Sequence, residues 1–470
     1  MTRSLTQTLT QFPEVWPEDP IPDIQFHLDN SEYVIVVLDD DPTGTQTIAA
    51  LPVLTSWSVD VLEMEMNRGT RFFYILTNSR SLTEPQAVTL AEEIGQNLLK
   101  ASQSVGNPVF VISRGDSTLR GHYPAEVNAL QRALYQPQAI HLIVPFFEEG
   151  GRFTVDDVHY VAEGDDLVPA AETPFAKDAS FGYTQSDLKR WVEEKTGSEV
   201  GASEVFSISL DLLRKGGPEA VAEQLASVPD GAVCIANAMA MRDVEVLVEA
   251  QFLAEMEGKS FIVRTAASYV RACCGQRKRE LLTHEQLVSG SHNGGLIVVG
   301  SYVPKTTKQL EYFQTSHSSD VHLLELEVGK LINGRPRETV ILQVIETIEK
   351  LLAEGIHVLI YTSRKLVKGG DAEENLAIGN QISEALVTIV NRIETCPEFV
   401  IAKGGITSSD IATKGLEVRR AMVKGQILPG VPVWELGEES RFPGIPYVVF
   451  PGNVGSDEAL YETFRKLSKS

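Results

Sequence analysis

The chain has 470 residues, 43 % of them hydrophobic, and a formal net charge of −23. That length predicts more than one domain, and the acidic balance argues against a nucleic-acid backbone or an anionic membrane surface as partner. No apolar run approaches the roughly 20 residues of a membrane-spanning helix. The four cysteines, Cys234, Cys273, Cys274 and Cys396, show no paired spacing, which predicts reduced thiols and a cytoplasmic protein. The first residues, "MTRSLTQTLTQFPEVW", carry no apolar secretory segment.

Residues 1–30 are polar and rich in proline, and predict an extension lying on the surface. A rhythm of short apolar runs and helical segments follows. The runs are "YVIVVL" (33–38), "FFYIL" (72–76), "VFVI" (109–112), "HLIV" (141–144), "AVCIA" (232–236) and "FIV" (261–263). Helices are expected in "PQAVTLAEEIGQNLLKAS" and "PAEVNALQRALY". Strand–helix alternation with uninterrupted apolar strands predicts a parallel sheet covered on both faces. Between about 145 and 195 the rhythm gives way to a Gly-, Asp- and Pro-rich stretch, too long for a plain connector and read as a functional loop or small insertion. After a polar stretch near 276–294 the rhythm restarts with "LIVVG" (296–300), "VLIY" (358–361), "FVIA" (399–402), "VPVWEL" (431–436) and "YVVF" (447–450). The expected architecture is α/β: an extension (1–30), a substrate domain (31–285) and a nucleotide domain (286–470), each with a mostly parallel sheet flanked by helices.

Ligands of parallel sheets bind at the carboxyl ends of the strands, so the residues after each run carry the functional reading. The first run ends in "DDDPTGTQT", the second in "TNSRSL", the third in "SRGDSTLRGHYPAE". One sheet edge thereby collects Asp41, Arg80, Arg114, Gly115, Asp116, Ser117, Thr118 and Arg120. Arginine suits bidentate binding of a carboxylate, and aspartate can hold a sugar hydroxyl or take its proton. The set suits a small hydroxylated acid, with Asp41 and Asp116 as competing candidates for the base. His122 sits beside the cluster, and contact with substrate and a surface role are equally compatible with its position.

The second half carries a different pattern. "LIVVGSYVPKTTKQL", "FVIAKGGITSSDIATKGL" and "YVVFPGNVGSDEAL" each read as strand, glycine turn, helix start. Glycine lets the backbone approach a phosphate, and a helix start supplies N–H donors. Ser301, Gly404, Gly405, Ile406, Thr407, Gly452, Asn453 and Gly455 are therefore candidate nucleotide contacts. "EGKS" at 257–260 imitates the end of a phosphate-binding loop but precedes a strand and lacks the required earlier glycine. The nine histidines show no zinc spacing, and no protein-held metal site is expected.

In this order, "DDDPTGTQT", "TNSRSL", "RGDSTLRG", "GGRFT", "KGGITSSDIATKGL" and "PGNVGSDEAL" resemble the four-carbon acid sugar kinases over about residues 33–465. The resemblance implies an N-terminal sugar-acid domain, a C-terminal nucleotide domain, an active site in the cleft between them, and ATP with Mg²⁺ as cofactors. It implies substrate contacts from Asp41, Arg80 and the Arg114–Ser117 stretch, and nucleotide contacts from Ser301, Gly404 to Thr407 and Gly452. The chain differs from the family pattern at Gly44-Thr45-Gln46-Thr47, where the family commonly reads TGA-Asn-Asp, and at Ile406, where it commonly has an acid. The expected partners are a sugar acid and ATP, with a homodimer compatible. Two other readings stand beside the kinase. A haloacid-dehalogenase-like phosphatase would use Asp39 as nucleophile and Asp41 as acid/base. A ligand-binding protein on the kinase fold would turn nothing over.

Overall fold

The computed structural model describes residues 2–287, 290–316, 320–332, 337–363 and 372–468. The chain forms two compact units, one of residues 1–48 and 56–278, the other of residues 49–55 and 279–470. The division thus falls a few residues before 285/286. The segment 49–55 leaves the first unit to supply a strand to the second, and its apolar run, "IAALPVL" (48–54), is missing from the strands the rhythm predicts.

In chain order the strands are β1 (Arg3–Ser4), β2 (Val34–Asp39), β3 (Pro52–Leu54), β4 (Phe72–Leu76), β5 (Val109–Arg114), β6 (Ile140–Val144), β7 (Arg152–Val155), β8 (Val158–Glu163), β9 (Asp166–Pro169), β10 (Phe206–Ile208), β11 (Val233–Ala236) and β12 (Phe261–Thr265). The second unit continues with β13 (Leu296–Val299), β14 (Val321–Leu326), β15 (His357–Thr362), β16 (Val400–Lys403), β17 (Arg420–Leu428), β18 (Val431–Leu436) and β19 (Pro446–Phe450).

In the first unit, β10-β11-β6-β12-β5-β2-β4 form a seven-stranded sheet, parallel throughout. Its strands are apolar at every turn because both faces are covered: Val36, Val37, Phe73, Tyr74 and Ile112 are all fully buried. After β2 the chain adds β4 on one side and then β5 on the other, so the order reverses at β2. That reversal opens a crevice at the carboxyl ends of β2, β4 and β5. Register aligns those ends, with Asp39 opposite both Leu76 and Arg114.

The region read as a loop or insertion is a small antiparallel sheet, β1-β9-β8-β7, followed by the helix Leu188–Lys195. Its outer strand comes from the N-terminus, with Arg3 opposite Leu167. The expectation of a surface extension over residues 1–30 is corrected here. The helix Ile21–Asn30 buries Ile21, Ile24 and Leu28, an i, i+3, i+7 stripe hidden among polar residues.

In the second unit the order is β3-β17-β18-β19-β16-β13-β15-β14. The five strands from β19 to β14 are parallel, while β3, β17 and β18 are antiparallel to their neighbours. "VPVWEL" therefore belongs to the antiparallel part of this sheet, between β17 and β19, and not to the parallel rhythm. Ile297, Val299, Ile401, Val448 and Phe450 pack with Phe313 and Phe464 in one core. Here the order reverses at β13, flanked by β15 and β16.

Candidate functional site

The three adjacent aspartates after β2 are divided among different partners. Asp39 is 1 % exposed; its carboxylate lies 3.3 Å from Arg114, and the α-carbon of Gly44 closes over it, since a Cβ there would sit 1.9 Å from Oδ2. Burial raises its pKa to about 7 against the pull of Arg114, and the charges of Asp40 and Asp41 push the same way. Asp40, also buried, meets Arg80 at 2.9 Å and Arg264 at 3.9 Å. Asp41 is the most exposed of the three side chains at 24 %, with Arg80 at 3.3 Å. Its Oδ1 accepts from the N–H and hydroxyl of Thr43. Burial works to raise its pKa, but Arg80 and the Thr43 bonds outweigh it and hold the carboxyl low.

Arg80 is the hub. The turn after β4, with Asn78 in the left-handed region at φ 51°, brings its guanidinium against Asp40, Asp41 and Asp116 at 2.9, 3.3 and 3.4 Å. Buried His122 pins this turn, Nε2 lying 3.2 Å from the Ser79 carbonyl and 3.1 Å from that of Leu82. His122 thus has a structural part, neither surface residue nor free ligand. Asp116 accepts from Arg120 Nε at 2.8 Å and from the N–H and hydroxyl of Thr118. Burial again opposes its charge, yet Arg80 and Arg120 lower its pKa well below the usual carboxylate range. Ser117 contributes its carbonyl, 2.8 Å from His159 Nε2.

Gly115 and Gly121 have a reason in Arg264, which the sequence reading missed. Arg264 comes from the end of β12 and reaches Ser113 Oγ at 3.1 Å and the Arg120 carbonyl at 3.2 Å. A Cβ on Gly115 would lie 2.0 Å from its guanidinium carbon, and one on Gly121 2.6 Å from its Nη2. A second missed residue, Arg152 of "GGRFT", stands with Arg120 at the ring of Phe175, at 5.4 and 5.3 Å from its centroid. Its Nε has no hydrogen-bond partner, and it pairs with no carboxylate among the described residues. Burial lowers its pKa; the charge of Asp116 opposes the shift and that of Arg120 adds to it. The signal that could have found both is their place: Arg264 follows the apolar run "FIV", and Arg152 is the one cation of "GGRFT".

The glycine turns of the second unit also meet. Ser301 follows β13, Gly404 follows β16 and Gly452 follows β19, three neighbouring parallel strands. A Cβ on Gly404, whose φ is 122°, would lie 2.8 Å from Ser301 Cβ, and one on Gly452 3.4 Å from Ser301 Oγ. Thr306 Oγ1 bridges Ser301 Oγ at 3.3 Å and the Gly452 carbonyl at 3.0 Å. Gly405 starts the helix Gly405–Asp410, and Thr407 is buried in it. Gln309, buried, holds the turn around Gly455 through the carbonyls of Val454 and Ser456 at 2.9 and 2.7 Å. The side chain of Asn453 is exposed on the same turn, and Ile406 is 64 % exposed.

Among the described residues no group of three His, Cys, Asp or Glu side chains is placed to hold a metal ion. Position 406 offers an apolar side chain. The residues around the glycine turns do not fit a protein-held Mg²⁺; an ion carried by nucleotide phosphates and water needs no such cage.

The sequence model of a sugar-binding N-terminal domain matches residues 35–273, and that of a nucleotide-binding C-terminal domain matches residues 296–460. The chain belongs to the four-carbon acid sugar kinase family. The aspartate–arginine cluster lies in its sugar-binding domain and the glycine turns in its nucleotide-binding domain. Among solved structures, a Haemophilus influenzae protein of the DUF1537 family is 18 % identical with a TM-score of 0.62, covering 92 % of this chain and 100 % of its own. A Salmonella typhimurium LT2 protein, provisionally described as a tRNA synthase, is 15 % identical with a TM-score of 0.69, covering 93 % of this chain and 100 % of its own. At these identities the likeness speaks for the shared fold of the family. No curated protein matches the chain. No described helix is long and apolar enough to cross a membrane.

Proposed function

We propose that the protein is an ATP-dependent kinase that phosphorylates a hydroxyl of a small sugar acid in the cytoplasm. One observation carries this reading: the crevice of the sugar-binding domain is lined by carboxylates already paired with arginines, plus the guanidinium of Arg152, which has no carboxylate within ion-pair distance among the described residues. A cation left without an ion pair beside an aromatic ring suits the carboxylate of an incoming acid. Arg80 is held by three aspartates, so its part is to fix them and not to clamp substrate. Asp41, the more open of the two candidate bases, faces the reacting hydroxyl and orients it or takes its proton. Asp116, tied to Arg80, Arg120 and Thr118, is a positioning residue. Phosphoryl transfer asks mostly for position and charge neutralisation, and the reaction requires the terminal phosphate of ATP, with the Mg²⁺ it carries, to come within bonding reach of that hydroxyl.

The phosphatase reading has little support. Its nucleophile would be Asp39, which is buried, paired with Arg114 and covered by Gly44. A silent ligand-binding protein is favoured by one observation, exposed Ile406 where the family commonly has an acid. A screen of tetronic and related four-carbon acids for acid-dependent ADP release decides between the two. The kinase reading expects turnover with at least one acid. Ligand-induced thermal shift with no ADP release across the panel would sink it.

A further inference from the structure

Lys403, the residue before the two glycines of "KGGIT", is fully buried. Its Nζ lies 3.9 Å from the centre of the Phe450 ring and donates to the carbonyls of Pro451 at 2.5 Å and Gly452 at 3.3 Å. Thr306 Oγ1 donates to the same Gly452 carbonyl at 3.0 Å. In a planar trans peptide the C=O and the following N–H point in opposite directions. Two carbonyls drawn inward therefore send the N–H groups of Gly452 and Asn453 outward. Among the described residues, neither N–H donates to another backbone group in the turns and loops. Successive outward N–H groups make a concavity for an anion.

We propose that Lys403 and Thr306 are positioning residues forming the floor of the phosphate site: they orient the Gly452 and Asn453 amides toward the nucleotide's phosphates, and Lys403 adds its charge beneath them. The inference rests on the reading of this unit as the ATP site. A lysine so enclosed is held ready to accept a proton. Burial pushes its pKa down to about 6, and the charge of Lys305 adds to the shift. The ionisable groups on the elements packed around it are otherwise engaged. Lys305 pairs with Asp457 at 3.4 Å, Asp410 pairs with Lys414 at 2.7 Å, and the Tyr447 hydroxyl donates to the Ser408 carbonyl at 2.5 Å. Phosphate charge above the floor favours the ammonium form, so nucleotide binding draws a proton from solvent onto Lys403.

The test is calorimetric titration of the full chain with Mg²⁺-ATP, Mg²⁺-ADP and adenosine, in two buffers of different ionisation enthalpy at pH 7.5. The wild type is expected to take up a proton with ATP and ADP beyond what the nucleotide itself binds. Lys403→Met should lose that uptake and bind ATP and ADP at least about tenfold more weakly, with adenosine affinity unchanged. Thr306→Val should cost about 2- to 10-fold in ATP affinity and carries the test if Lys403→Met does not fold. Wild-type ATP affinity and proton uptake in Lys403→Met, or in its absence wild-type ATP affinity in Thr306→Val, overturns the inference. So does an equal loss for adenosine, which would mean a merely structural lysine. A wild type that binds no adenine nucleotide overturns the ATP reading itself, and this inference with it.

Discussion

At the scale of single residues, Asp39 links the site to pH. Its folded-state pKa of about 7 lies above the roughly 3.9 of an unfolded aspartate. The folded chain therefore binds a proton that the unfolded chain releases. The resulting stability is present below the unfolded value and is lost as pH rises through 7. Asp41 and Asp116 are shifted the other way, so their contribution is present above the unfolded value and is lost on acidification. Asp39→Asn removes the first effect alone. Relative to wild type, its melting temperature should improve from pH 5 to pH 8; a difference that does not change with pH would mean that Asp39 is ionised throughout. Arg264 yields a second prediction. Gly115→Ala drives a methyl group into its guanidinium and should destabilise by about 1–3 kcal/mol. In an Arg264→Leu background that cost should shrink, as expected for contacting residues. Chemical denaturation of the four proteins measures the coupling, and strict additivity would contradict the contact. For Asp41, Asp41→Asn should lower kcat by about 10²–10⁴ if it takes the proton, leaving ATP affinity unchanged. A rise in KM larger than the fall in kcat would assign it to orientation.

At the scale of elements, the apolar strands were legible because burial on both faces makes them continuous: "FFYIL" and "VPVWEL" coincide with β4 and β18. The direction of β18 was not legible, because partner choice depends on the hairpin with β17 and not on the strand's own composition. β3, Pro52–Leu54, was missed although it closes the apolar run "IAALPVL", because a proline inside a short run argues against a strand. The helix Ile21–Asn30 was masked by its polar face and proline. Its buried Ile21, Ile24 and Leu28, at about 1.5–3 kcal/mol for each such side chain, make it part of the first unit's core. Deleting residues 1–30 should lower the denaturation midpoint clearly, whereas deleting only 1–12 should cost far less. An unchanged midpoint for the longer deletion would restore the view of a mere surface extension.

At the scale of the whole molecule, the two groups of candidate residues were legible because parallel sheets bring their strand ends together. Asp41, Arg80, Asp116 and Arg120 meet through ion pairs, and Ser301, Gly404 and Gly452 meet through close backbone approach. What sequence could not show was how many carboxylates each arginine meets: Arg80 has three, and Arg152 has none within ion-pair distance among the described residues. Arg80 and Arg152 look alike in a motif, and only the three-dimensional count of partners distinguishes them. The division of labour, acid on the first unit and nucleotide on the second, is the central claim. It is tested most directly by titrating wild type, Arg152→Ala and Gly452→Val with both an active four-carbon acid and Mg²⁺-ATP. Arg152→Ala should lose about 2–5 kcal/mol of acid binding and keep its ATP affinity. Gly452→Val, with a side chain filling the turn beside Ser301, should lose ATP and keep the acid. Loss of both ligands in both folded variants, or loss of ATP in Arg152→Ala alone, would contradict it.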